Sequence, residues 1–347
     1  MRLLAILVLG LPAAFACKLL GAPPWTIFAG SALALLPLAG WIGMGTEHAA
    51  KRVGPSLGGL LSATFGNAAE LIITLFALRE GLTDLVKASL TGSIIGNTLL
   101  VFGAAAVAGG VKHGAQRFDA RTAGRHSAMM ILAVSAMALP AVFATVVQSA
   151  YVREEVSVGV SILLLLTYAA YIYYSYFSKE GRASGAPAGD EHGGAAWPLG
   201  RSLALLGGAV LGTVAASELL VGTVEPVSEQ LGLSTFFVGL IVVPLIGNVA
   251  ENSSAVRFAR RNHMELSISI AANSSTQIAV FVAPLLVLIS LAIHPMNLIF
   301  QPIELVTLFC ATAIFAYISL DGETTWLEGV QLIALYLIAA VAFFFLH

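Results

Sequence analysis

Apolar residues run in long blocks cut by short polar stretches, with little of the period-two alternation of a sheet or the one-sided stripe of a water-facing helix. Eleven such blocks can be marked, at about 3–21, 25–46, 57–79, 85–110, 126–148, 156–177, 198–222, 234–258, 264–292, 298–319 and 325–346. A helix needs about 20 apolar residues to cross the hydrocarbon core of a bilayer. Each block therefore predicts a transmembrane helix, and at about 20 residues apiece they use roughly two thirds of the chain. No room remains for a separate soluble domain. The first block lacks a signal-peptide cleavage pattern and is expected to be retained as a helix. The pattern predicts an all-α polytopic membrane protein of about 11 spans.

Composition narrows the class further. The chain of 347 residues is 58% hydrophobic and 10% charged, against roughly 25% charge in a soluble domain. A net charge of −2 gives no field to attract polyanions, so no nucleic-acid partner is expected. Cys17 and Cys310 both sit in apolar runs, which indicates neither a disulfide framework nor a metal–cysteine site. The longest polar stretch, SKEGRASGAPAGDEHGGAAW at 178–197, reads as a flexible linker. Its Asp190, Glu191 and His192 fit a solvated linker better than a cation site. The expected organisation is one extra N-terminal helix at 1–22, a first five-helix repeat at 23–177, a cytoplasmic linker at 178–197 and a second five-helix repeat at 198–347.

Orientation follows from the lysines and arginines. With the N-terminus inside, one side carries 13 of them and the other only Lys18, Arg79, Lys87 and Arg153, which accounts for all 17. The N-terminus is therefore expected in the cytoplasm and, after an odd number of crossings, the C-terminus outside.

Two segments resemble each other without a gap. At a constant offset of 181, Gly58, Gly66, Asn67, Ala69, Glu70, Arg79, Leu85 and Ser93 match Gly239, Gly247, Asn248, Ala250, Glu251, Arg260, Leu266 and Ser274. Matching leucines and alanines are common between apolar helices, but a Gly-Asn-x-Ala-Glu string in the middle of a span is not. Five helices separate the copies, so they are expected to cross in opposite directions. That is the inverted repeat of secondary transporters, whose substrate site lies near the midplane where the repeats meet.

A carboxylate at the bilayer centre costs at least about 2.5–3.5 kcal/mol and demands a partner or a function. Glu70 falls about 13 residues into its block and Glu251 sits similarly. The Gly66-Asn67 and Gly247-Asn248 pairs favour a break in each helix, freeing carbonyls around 63–66 and 244–247, with Pro244 removing a further bond. Carbonyl oxygens, two amides and two carboxylates make an all-oxygen site that suits a hard divalent cation, calcium most naturally. No His or Cys lies in the motif, which argues against tight zinc or copper binding. Two desolvated carboxylates facing each other cannot both stay ionised. One divalent ion or protons must neutralise them, and mutually exclusive occupancy is the logic of an antiporter.

Other polar residues fall around this pair. Ser93 and Asn97 near the end of the first repeated stretch, and Ser274 and Gln277 in the second, either complete the ion's shell or pack helices as small residues. Glu47 and Glu218, in Thr46-Glu47-His48 and Ser217-Glu218-Leu219, are repeat mates expected to be buried, as vestibule ion or proton sites or as interfacial charges. Glu304 reads as a charge at a helix N-terminus, Arg79, Arg257 and Arg260 as snorkelling to headgroups, and Trp25, Trp197 and Trp326 as an aromatic belt. No HExxH or GxSxG string accompanies His48 or His126, which leaves little for an intramembrane hydrolase.

GNAAELI at 66–72 and GNVAEN at 247–252 resemble the paired signature of the calcium/proton antiporter (CAX) family of the calcium/cation exchanger superfamily. TEHAA at 46–50, GSIIGNTLLVFG at 92–103, QRFDARTA at 116–123, SELLVG at 217–222, SSTQIAVFVAP at 274–284 and MNLIFQPIELV at 296–306 extend the resemblance over nearly the whole chain. It implies ten core helices plus one, with the third, fourth, eighth and ninth forming the ion-binding core and the second and seventh sliding to alternate access. It also implies that Glu70 and Glu251 are the central ion- and proton-binding carboxylates, with Asn67, Asn248, Ser274 and Gln277 as accessory positions. Asn252 stands where the family often has His, and Asn273 where it usually has Gly. No cofactor is expected, calcium and protons being cargo, and the partners are those ions and the lipid bilayer. A homo-oligomer, a trimer in particular, is what the resemblance suggests. Without the long N-terminal extension and acidic loop of vacuolar relatives, a prokaryotic plasma membrane is the expected location. The readings nearest to calcium/proton exchange are a sodium-coupled exchanger or one for manganese or cadmium.

Overall fold

The computed structural model describes residues 6–178 and 197–346, without the side chains of Pro55 and Ser56. The interior of the expected linker, with Asp190, Glu191 and His192, lies outside the described residues. The rest is helical apart from one two-stranded ribbon. The helices are α1 (Leu7–Leu19), α2 (Pro24–Val53), α3 (Pro55–Phe65), α4 (Ala68–Arg79), α5 (Thr83–His113), α6 (Ala120–Val146) and α7 (Ala150–Phe177). They continue with α8 (Leu199–Val221), α9 (Val224–Leu231), α10 (Thr235–Gly247), α11 (Val249–Ala259), α12 (Met264–Ser290), α13 (Pro302–Ile318) and α14 (Trp326–Phe344). Among the described residues seven helices are long and apolar enough to span a bilayer, or up to nine with each bent pair taken as one span. Leu7–Leu19 and Pro302–Ile318 are apolar but shorter. The polytopic all-α class is thus observed, with a count of seven to nine spans by this measure where the pattern of blocks predicts 11.

The internal repeat reaches into backbone detail. Asn67 (φ −101°, ψ 25°) and Asn248 (φ −93°, ψ 10°) interrupt their helices with nearly the same geometry. Gly81 and Asn262, also 181 residues apart, both take a left-handed conformation (φ 78° and 63°). At these turns the amide of Leu82 donates to the Ala77 carbonyl and that of His263 to Phe258, again at the same offset. A left-handed non-glycine residue is uncommon, and asparagine is among those that tolerate it. Both long helices that follow carry a π-helical stretch, Gly96–Val101 in α5 and Ile278–Val282 in α12.

Two compact units emerge, and each draws on both sequence halves: 1–86 with 174–250 and 346–347, and 87–173 with 251–345. In the first unit α2 and α8 run antiparallel. A Cβ added at Gly45 would lie 3.0 Å from Leu206 and one at Gly212 2.7 Å from Leu38, so the absence of side chains lets the backbones approach, as small residues do between membrane helices. At one end of this pair the His48 ring stacks on Trp197 at 4.2 Å, the Arg201 guanidinium lies 4.2 Å from the same indole and Arg52 Nε donates to the Trp197 carbonyl. Trp197, expected in an aromatic belt, is thereby fixed by a buried histidine and two arginines. Helix α1 docks on α2 through Ala14 and Ile27, joined by Leu219 of α8.

In the second unit α5 is the central helix. It crosses α14 where Gly329 faces Gly103, a Cβ at Gly329 falling 2.6 Å from the Gly103 carbonyl oxygen. Phe102 meets Phe315 of α13 edge-on at 5.2 Å. The ribbon pairs Gln116↔Thr324 and Arg117↔Glu323. Buried Gln116 donates to the Ala259 carbonyl and to Asn262, and Lys112 to the Arg260 carbonyl, so the loops after α5, α11 and α13 meet at one end. Asp119 caps α6, accepting from Arg121 and Thr122; these bonds, the Thr122 side chain's first, hold its carboxyl below the usual range. Arg153 donates to the carbonyls of Ala144 and Val147 and so closes the C-terminus of α6.

These crossings predict a contrast between glycines. Gly329→Val should destabilise the protein by about 1–3 kcal/mol or more through overpacking against α5. Gly208→Ala, where an added Cβ meets nothing within 4 Å, should be neutral or stabilising by roughly 0.5–1 kcal/mol through helix propensity. Thermal unfolding in detergent, followed by intrinsic fluorescence, checks both.

Candidate ion-binding site

The Gly-Asn-x-Ala-Glu string produces the local structure its chemistry requires. Glycine and asparagine are poor helix formers, and α3 ends at Phe65 so that α4 restarts at Ala68 with a bend of 42°. The restart places Glu70 in the first turn of α4, where the helix dipole favours an anion. In the first unit Glu70 (6% exposed), Asn67 and Asn248 are buried and Gly66 is exposed. Glu70 seats against the second copy of the motif: a Cβ at Gly247 would lie 3.0 Å from Glu70 Cγ and 3.9 Å from Ile73 Cδ1. Glycine at 247 is therefore what admits the Glu70 side chain. Thr74 donates to the Glu70 carbonyl at 2.7 Å, keeping its hydroxyl within its own helix.

One expected oxygen is engaged. The Pro244 carbonyl accepts both the Asn248 amide N–H at 2.9 Å and the Asn248 side-chain Nδ2 at 3.1 Å. The turn closes as far as Asn248 and the discontinuity comes after it, so this carbonyl is capped where the sequence led us to expect it free. The flanking glutamates also differ from expectation. Glu47 is half-buried in an i,i+4 ion pair with Lys51 at 2.8 Å. Glu218, expected to be buried, is exposed, because Ser217 takes the inward position and the next residue is carried about 100° around the helix.

The second unit holds the other candidates. Ser93, Asn97 and Ser274 are buried, Glu251 and Gln277 half-buried. The structure joins Asn97 to Ser274 directly, Asn97 Nδ2 donating to Ser274 Oγ at 2.9 Å, and Thr98 donates to the Ile94 carbonyl at 2.7 Å. The first of these bonds links α5 and α12 beside their π-helical stretches. A π-turn shifts the hydrogen-bond register by one residue and is common at functional sites, a feature no side-chain pattern reveals. Glu251 stands in the first turn of α11, repeating the placement of Glu70 in α4. Among the described residues no three His, Cys, Asp or Glu side chains gather as a metal cluster.

The residues missed as members of a network are Lys87, Thr91 and Glu304. Glu304 is buried at 1% exposure and belongs to the capping box of α13. The signal for it is the QPIE string, an N-cap followed by proline at N1 and glutamate at N3. Its tie to Thr91, 213 residues away, has no local signature.

Comparison with known proteins places these features in a family. The family described as sodium/calcium exchanger protein matches residues 23–177 and 201–345. A Ca(2+)/H(+) antiporter of Synechocystis is 41% identical over 366 residues, covering 99% of this chain and 97% of that protein. The Ca(2+)/H(+) antiporter ChaA of Bacillus subtilis is 39% identical over 350 residues, covering 99% of both. Among solved structures, native YfkE superposes with a TM-score of 0.86 at 38% identity over 99% of this chain and 100% of its own. The H+/Ca2+ exchanger CAX shares the fold, with a TM-score of 0.75 at 15% identity over 99% of this chain and 91% of its own.

The packing of Gly247 on Glu70 makes a specific demand. Gly247→Ala should displace the Glu70 side chain and weaken divalent-cation binding about tenfold or more, with a stability loss of about 1–3 kcal/mol from overpacking. Calorimetric titration of calcium into the purified variant checks the first effect and thermal unfolding the second.

Proposed function

The chain belongs to the sodium/calcium exchanger protein family, and we propose from that membership that it exchanges calcium for protons across the membrane as a secondary active transporter. Relatives matched along almost their whole length at about 40% identity carry that activity in their names. The observation that carries the reading at the site is the Glu70 carboxylate, buried in a broken membrane helix and seated on Gly247 of the second motif copy. Such a group is costly in lipid unless neutralised.

In this reading Glu70 and Glu251, one from each repeat, bind either one calcium ion or protons. Asn67, Asn248, Ser93, Asn97, Ser274 and Gln277 supply neutral oxygens. Calcium suits the set because it accepts six to eight oxygen ligands of mixed type in flexible geometry. Once calcium leaves, protonation of the carboxylates lets the empty carrier reorient without a buried charge. Binding therefore alternates, and a proton gradient drives calcium the other way. Across a prokaryotic plasma membrane, whose proton gradient points inward, the direction is calcium efflux coupled to proton entry.

Everted membrane vesicles acidified inside should take up calcium, and collapsing the pH gradient should stop the uptake. Glu70→Gln and Glu251→Gln, which remove a charge and keep the shape, should each reduce uptake to background while the folded protein remains in the membrane. Retained pH-driven transport in either variant would overturn the assigned roles. Uptake driven by a sodium gradient but indifferent to pH would overturn proton coupling.

A further inference from the structure

We propose that Glu304 is a positioning residue for the ion-ligating stretch of α5, acting through the hydroxyl of Thr91; the proposal rests on the calcium/proton reading above. Glu304 opens α13 and is buried. Its Oε2 accepts the backbone N–H of Gln301 at 2.7 Å, which completes the capping box within α13. Its Oε1 accepts from Thr91 Oγ1 of α5 at 3.0 Å. Capping uses one carboxylate oxygen, so the second reaches across to another helix for a different purpose. The two oxygens therefore join two elements through one side chain.

Thr91 differs from those buried hydroxyls that stay within their own helix. Ser31, Thr98, Ser127 and Thr312 all donate to the carbonyl four residues back in their own helices. Fully buried Thr91 donates across to α13 instead. One turn earlier on the same face of α5, Lys87 Nζ donates to Asn297 Oδ1 at 2.8 Å and to the Ile299 carbonyl at 3.1 Å. The segment that receives both contacts is itself held to α7, the Leu298 amide donating to Ser157 Oγ at 3.1 Å. One face of α5 is thus fastened at two points a turn apart to a tethered segment. Ser93 lies two residues beyond Thr91, and Asn97, bonded to Ser274, lies where the π-helical stretch begins. The Thr91–Glu304 bond fixes the angle of α5 about its axis, and that angle sets where Ser93 and Asn97 point.

The test compares Thr91→Val, which removes the donor and keeps the shape, with Thr91→Ser, which restores it. In pH-driven calcium uptake, Thr91→Val should raise the KM for calcium about tenfold with the maximal rate within about twofold, and Thr91→Ser should return KM to within about twofold of the starting protein. Glu304→Gln should act like Thr91→Val, and the double variant should be no worse than either single one. Hydrogen exchange across residues 92–101 reads positioning without transport, and should be faster in Thr91→Val than in the unmodified protein. An unchanged KM in Thr91→Val overturns the proposal, as does a lower yield of folded protein with normal KM in both Thr91 variants. If the unmodified protein fails to move calcium, the functional reading falls, and the exchange rates of α5 alone then decide whether Thr91 positions the helix.

Discussion

A carboxylate inside a membrane helix has to be given a place, and here the place is made by a missing side chain. A Cβ at position 247 would press on Glu70 Cγ at 3.0 Å. That contact ties the first copy of the motif to the second. The break at Gly66-Asn67 sets Glu70 in a first helical turn, and the capped turn at Pro244–Asn248 brings Gly247 against it. The antiparallel packing of α2 on α8, with its own close glycine crossings, frames the same unit.

Much of this was legible in the chain because it rests on scarcity. With 10% charged residues, a glutamate in mid-block stands out, and the constant offset of 181 identifies its mate. The structure extends that offset to Asn67/Asn248 and Gly81/Asn262, positions whose backbone demands restrict residue choice. What escaped the sequence is geometry that many residues satisfy. The π-helical stretches of α5 and α12 are built from Gly-Asn-Thr-Leu-Leu-Val and Ile-Ala-Val-Phe-Val, strings that would read equally well as plain helix. Glu218 shows the limit of matching by motif alone: its mate Glu47 is ion-paired and half-buried, whereas Glu218 itself faces outward.

Polar groups in the membrane interior fall into two populations. Many buried hydroxyls, Ser31, Thr98, Ser127 and Thr312 among them, return to the carbonyl four residues back in their own helix. Others reach between elements: Asn97 to Ser274, Thr91 to Glu304, and Lys87 to Asn297 in the segment before α13. In lipid the hydrophobic effect does not choose between helix faces, so such directional bonds carry a larger share of the specificity. They cluster on α5, the helix that also bears Ser93 and Asn97.

The seating of Glu70 also constrains how the protein is made. The glycine that receives it is 177 positions further along the chain (247 − 70), and neither compact unit is complete without residues from both halves. During synthesis the first half enters the bilayer while its partners are still on the ribosome. Glu70 must wait there unseated, in surroundings where a carboxylate costs several kcal/mol. A side chain able to take up a proton can wait as a neutral acid, so the property that suits it to exchange ions also lets the nascent chain reach the membrane before its other half exists.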